Sequence, residues 1–130
     1  VSIARGRGGK LLKDLQLLVR LLNASLSGAY TGLSVHKLVT IVAESLLEKR
    51  LVEEVKRLGA KGYTITPARG EGSRGIRSVD WEGQNIRLET IVSEEVALRI
   101  LQRLQEEYFP HYAVIAYVEN VWVVRGEKYV

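Results

Sequence analysis

Polar side chains recur early in the chain at Lys13, Gln16, Arg20, Asn23 and Ser27. A spacing of three and four sets them along one helical stripe and leaves a broad leucine face over residues 10–27. That face has to be buried. Packing on its own domain or on a sister subunit is favoured over a membrane surface, because few cations flank the leucines. The preceding stretch, VSIARGRGG (residues 1–9), is basic and glycine-rich and reads as a flexible arm. Gly28 and Gly32 mark a break before the next element.

From residue 35 the pattern alternates between two periods. VHKLVTIVA (35–43) is β-branched and apolar, a buried strand. Ser45 and Glu48 have capping-box spacing, Leu47, Leu51, Val55 and Leu58 continue a helical stripe, and Gly59 supplies a stop. GYTITP (62–67) and NIRLETIVS (85–93) read as strands two and three. Ser93 caps a second helix with Glu94 and Glu95 in its first turn and Val96, Ile100, Leu101 and Leu104 on its apolar face. YAVIAYV (112–118) is the fourth strand, and Glu119 and Asn120 turn the chain into a short last strand, VWVVR (121–125). This order predicts an α+β fold, a ferredoxin-like βαββαβ sandwich with an extra N-terminal helix, a short C-terminal strand and a long loop between strands 2 and 3. The division is residues 1–34 for the basic arm and amphipathic helix, and 35–130 for the sandwich. Both helices share one face of the sheet, so the N-terminal helix or a neighbouring subunit is expected to cover the other.

Composition narrows the chemistry. The chain has 130 residues, no cysteine and two histidines, His36 and His111, far apart in sequence. Disulfides, cysteine metal sites and a thiol nucleophile are excluded, and a zinc site is not expected. No apolar run is long enough to span a bilayer and no signal-peptide pattern opens the chain, so a cytoplasmic location is expected. A net charge of +4 suits anionic ligands without demanding nucleic acid.

The long connection, TPARGEGSRGIRSVDWEGQN (66–85), exceeds the usual length of a loop in a compact domain. Gly70, Gly72 and Gly75 allow close backbone approach, and Arg74 and Arg77 lie three apart with Arg69 upstream. Guanidinium groups grip phosphate bidentately, so this reads either as a phosphate-binding turn or as a solvated hairpin tip. It is neither a Rossmann fingerprint, since no helix follows it, nor a Walker loop, since the Gly-Lys-Ser/Thr end is missing.

GAKGYTITPARGEGSRGIRS (59–78) resembles the root of the T-loop in the PII signalling superfamily, most nearly in the PII-like regulators of the SbtB type. The likeness continues through NIRLETIVS and YFPHYAVIAYVENVWVVRG, covering residues 37 to 126. The resemblance implies a homotrimer without catalytic activity that binds an adenine nucleotide (AMP, cyclic AMP, ADP or ATP) in the cleft between subunits. No tightly held cofactor or metal is implied. By the same resemblance Lys61 lines the adenine pocket, Gly70, Gly72 and Ser73 form the backbone cradle, and Arg74 and Arg77 contact phosphate. Val114 and Ile115 would face the base through their main chain. The loop would report ligand state to a partner in nitrogen or carbon regulation, a membrane transporter being one such partner. EEYFPHYAV has no basic, glycine-rich B-loop, the T-loop lacks the tyrosine that some members modify, and no C-terminal Cys-Gly-Pro-x-Gly-Cys segment is present.

Simpler readings stand beside these. Lys61 can be a strand-end charge, Trp81 and Asp80 either touch a partner or fold back, and Arg87 with Glu89 can form cross-strand or inter-subunit pairs. Two other functions fit the fold class. A nucleic-acid platform would need aromatics on central strands, where only Tyr63 and Tyr117 are candidates. An acylphosphatase-like hydrolase would need a group placed to activate water.

Overall fold

A computed structural model describes residues 2–26, 33–70 and 84–130. The alternating segments form a four-stranded antiparallel sheet of β1 (Ser34–Glu44), β2 (Thr64–Ala68), β3 (Asn85–Val92) and β4 (Ile115–Val123), in the order β2-β3-β1-β4. Helix α2 (Glu48–Leu58) leads from β1 to β2, and α3 (Glu94–Glu107) leads from β3 to β4. Each helix therefore joins two strands separated by a third, which is the interleaved split βαβ arrangement the sequence predicts.

Period-two alternation decides which face the helices cover. Val39, Ile41 and Ala43 of β1 and Leu88 and Val92 of β3 are buried with Leu51 and Val55 of α2 and Ala97, Ile100 and Leu104 of α3. Gly59 ends α2 at φ 123°, and the Ala60 N–H donates to the Val55 carbonyl at 2.9 Å. A methyl group there would also meet Val96 Cγ2 at 2.9 Å, so both backbone and space require glycine. Ser93 caps α3, its Oγ accepting from the Val96 N–H at 3.3 Å.

Four details differ from the sequence expectation. Helix α1 runs Ser2–Leu26, through the glycine-rich arm expected to be flexible. Glycine weakens a helix by about 0.5–1 kcal/mol without barring α-region backbone, so composition marked a weak segment and not a boundary. The Ser45 capping box does not form: residues 45–47 make a 3₁₀ turn, the Ser45 N–H donates to the Gln84 carbonyl at 3.0 Å, and α2 begins at Glu48 without a side-chain cap. The turn expected at Glu119 and Asn120 is absent. β4 passes straight through, with Glu119 opposite Leu38 and Asn120 opposite Lys37, so the expected last strand is the second half of β4. β4 also starts at Ile115, three residues later than expected, because Tyr108 to Tyr112 are held in turns that fold back on α3.

The chain ends in a 3₁₀ turn, Gly126–Tyr129, entered through Arg125 at φ 65°. Buried Gly126 lies against Ser34 and His36 at the start of β1, and the Tyr129 ring meets His36 edge-on at 6.2 Å.

Glu54 ties the helix layer together. Its carboxylate accepts from Arg103 Nε at 2.7 Å, Arg57 Nε at 2.9 Å and the Tyr108 hydroxyl at 3.3 Å. Burial pushes the carboxyl up, but the hydrogen bonds from Arg103 and Arg57 outweigh it and hold the group below its ordinary range. Tyr108 is fully buried, and burial followed by the Glu54 charge raises its phenol.

The other sheet face stays open. It carries Leu38, Val42, Ile91, Ile115 and Tyr117, with Arg87 Nη2 donating to the Tyr117 hydroxyl across β1 at 3.0 Å. Thr40, 1% exposed at its centre, has a hydroxyl without a partner among the described residues. Helix α1 makes no substantial contact with any other described element, so the expected cover from the N-terminal helix is not seen among the described residues.

Candidate functional site

β2 and β3 converge on the root of the long loop. Ala68 lies opposite Asn85, and Asn85 is in turn opposite Glu44, the last residue of β1. The Ser45 to Gln84 hydrogen bond fastens the returning end of the loop to the start of the α2 connection. Arg69 and Gly70 leave this frame exposed, and a Cβ on Gly70 would meet nothing within 4 Å. An extended strand pair thus presents the loop from one sheet end. Gly72, Ser73, Arg74 and Arg77, with Asp80 and Trp81, lie outside the described residues.

Val114 and Ile115 come to the same end of the sheet. Ile115 is opposite Val42, whose other neighbour is Arg87. Ile115 opens β4 and Val114 just precedes it, however, and β4 and β2 are opposite edges. Strands stand roughly 4.8 Å apart, so three steps separate the loop root from Ile115 by about 14 Å. Within one chain the two halves of the expected site face away from each other. Edges of two adjoining chains could bring them together.

Lys61 is not brought to this end. It is exposed, just before β2, where Thr90 Oγ1 donates to the Gly62 carbonyl at 2.7 Å. It lies three residues before Thr64, and the four steps from Thr64 to Ala68 alone span roughly 13 Å towards the loop root. A ligand held at the loop root and by Lys61 of the same chain would have to run the length of β2.

Two features were not legible in the sequence. Arg87, expected to pair with a charge, bonds to Tyr117 two strands away, and only the register of β3, β1 and β4 reveals it. Glu89 has no ion pair among the described residues. The Glu54 cluster joins residues 49 apart in sequence, and its only sequence signal was the Glu54–Arg57 spacing. Central strands β1 and β3 carry no Phe, Tyr or Trp, Tyr117 lies on edge strand β4 and Tyr63 just precedes β2, so the described central strands offer no aromatic base-stacking platform. Among the described residues no group of three acidic, His or Cys side chains could hold a metal ion.

Comparison with known proteins agrees with this architecture. A crystal structure described as a PII-like signalling protein from Thermus thermophilus is 88% identical, with a TM-score of 0.67, over 77% of this chain and 100% of that one. CPII from Thiomonas intermedia K12, a nitrogen regulatory PII-like protein, is 26% identical in a structure bound to ADP and bicarbonate, with a TM-score of 0.66 over 75% of this chain and 97% of the other. Another CPII structure, bound to ADP, AMP and acetate, is 25% identical at a TM-score of 0.66 over 75% and 96%. The sequence model of the family Nitrogen regulatory protein P-II matches residues 36–128. A split βαβ sandwich whose second and third strands carry a long loop, matched over that span, places the chain in the P-II family.

Proposed function

We propose that the chain is a nucleotide-responsive signal-transduction protein. It acts as a homotrimer without catalytic activity, in the cytoplasm, and binds an adenine nucleotide in the clefts between subunits. The observation that carries this reading is the placement of the loop root and Ile115 on opposite edges at one sheet end. One chain offers two half-sites, and the β2 edge of one copy beside the β4 edge of the next completes a cleft. The open sheet face, with Leu38, Val42, Ile91 and Ile115, supplies apolar area for that assembly.

Arg74 and Arg77 grip phosphate, Gly70, Gly72 and Ser73 offer backbone N–H groups, and Val114 and Ile115 face the base. Lys61 belongs to such a site only through a neighbouring copy or an extended ligand. The effector is AMP, cyclic AMP, ADP or ATP, and binding orders the loop so that a regulated partner, a membrane transporter for one, reads its conformation. The CPII structures with ADP and AMP support the nucleotide class, and their bicarbonate and acetate point to a small carboxylate-like anion as a second effector.

Limited trypsin digestion tests the coupling of ligand to loop. Cleavage after Arg74 and Arg77 is expected to slow severalfold with saturating ADP, while cleavage after Lys128 keeps its rate. Equal rates at the loop with and without each nucleotide would remove the switch.

A further inference from the structure

The net charge is not spread over the molecule. Of 19 basic and 15 acidic residues, five basic (Arg5, Arg7, Lys10, Lys13 and Arg20) and one acidic (Asp14) belong to α1. The remaining fourteen and fourteen cancel, so the whole excess of +4 resides in one helix. The same helix leaves Leu11, Leu12, Leu15, Val19 and Leu22 exposed, each by 44% or more. At 100° per residue these five, with Leu18, fall within an arc of roughly 120°; Lys13, Gln16, Arg20 and Asn23 form a polar sector bordering it on one side, and exposed Leu17 lies apart on the far side. No helix among the described residues is long and apolar enough to cross a membrane.

We infer that α1 docks flat on an anionic lipid surface, its leucine arc in the acyl boundary and its cations toward the headgroups. The sequence alone favours packing within the protein, since few cations flank the leucines, but three further observations select the lipid surface. The P-II match begins at residue 36, so α1 lies outside the matched unit, and no described element of the chain packs substantially against it. Pairing α1 with copies of itself would bring +4 onto +4, which opposes association and favours a negative surface. The long apolar arc combined with net positive charge fits an interfacial helix, and a spanning one would need a continuous apolar run. The inference is independent of the nucleotide reading.

The test is co-sedimentation of the full chain with vesicles of phosphatidylcholine and phosphatidylglycerol, against vesicles of phosphatidylcholine alone. Binding is expected only to the anionic vesicles, with release as salt rises. K13Q/R20Q should weaken it, each lost cation costing roughly a fivefold drop in affinity. L15E/L22E should abolish it while leaving the thermal midpoint and the oligomeric mass unchanged. Pelleting that ignores lipid charge would overturn the inference, as would none with either vesicle. A fall in oligomeric mass on L15E/L22E without vesicle binding would assign the leucine arc to other copies of the chain. If L15E/L22E does not fold, the K13Q/R20Q series decides.

Discussion

Arg77→Ala is expected to weaken AMP and ADP by roughly 10- to 150-fold while leaving adenosine nearly unchanged. The magnitude is that of one lost charge-assisted hydrogen bond, about 1.5–3 kcal/mol. The selectivity comes from chemistry: a guanidinium engages phosphate oxygens and adds nothing to base or ribose recognition. Lysine at this position should restore only part of the affinity, because an ammonium carries the charge but not the planar fork. Parallel titrations of the variant and the parent with AMP, ADP and adenosine measure the effect. Equal losses for adenosine and AMP would mean that the arginine shapes the loop and does not hold phosphate.

Glu54→Gln is expected to cost roughly 2–4 kcal/mol of stability at neutral pH and to flatten the acid limb of the stability curve. Glu54 is nearly buried and accepts from two guanidinium groups and a phenol, so the amide loses the charge in both ion pairs and leaves Tyr108 with a poorer acceptor. Its folded-state pKa lies below the unfolded value of about 4.5. The contribution is therefore complete above that value and is lost as pH falls through the depressed folded pKa. Urea unfolding at neutral pH should separate parent and variant, and the gap should narrow well below pH 4.5. A gap of the same size at both pH values would show that the variant disturbs packing and not charge. Arg57 and Arg103 remain partly in water and can rehydrate, which keeps the expected loss below that of a wholly enclosed ion pair.

The strands and helices of the sandwich were legible because each carries one clear period. Val39, Ile41 and Ala43 recur every second residue and all face the helices, and Leu47, Leu51 and Val55 recur every fourth and all face the sheet. Gly59 and Ser93 were legible as stop and start because each acts through its own backbone or side chain. Ser45 was misleading for a non-local reason: its N–H is taken by Gln84, roughly forty residues on, so the local cap loses to the fastening of the loop root. Glu119 and Asn120 have turn-forming side chains, but pairing with Leu38 and Lys37 keeps them in strand, and that partner is invisible before the register is known. The candidate site divides in the same way. The glycines and arginines of residues 70–77 are proposed from residue type, spacing and family resemblance, and beyond Gly70 they lie outside the described residues. That Ile115 shares the loop's end of the sheet while Lys61 occupies the opposite end follows only from topology.

The most direct test of the nucleotide reading is isothermal titration of the full chain with AMP, cyclic AMP, ADP and ATP, with adenosine as control, at known oligomeric mass. Saturable binding of at least one phosphorylated nucleotide at one site per chain, tighter than adenosine, in a particle of three chains is the predicted result. No heat and no shift in thermal midpoint with any of them would contradict the account, leaving a P-II fold whose inter-subunit clefts do not bind adenine nucleotides.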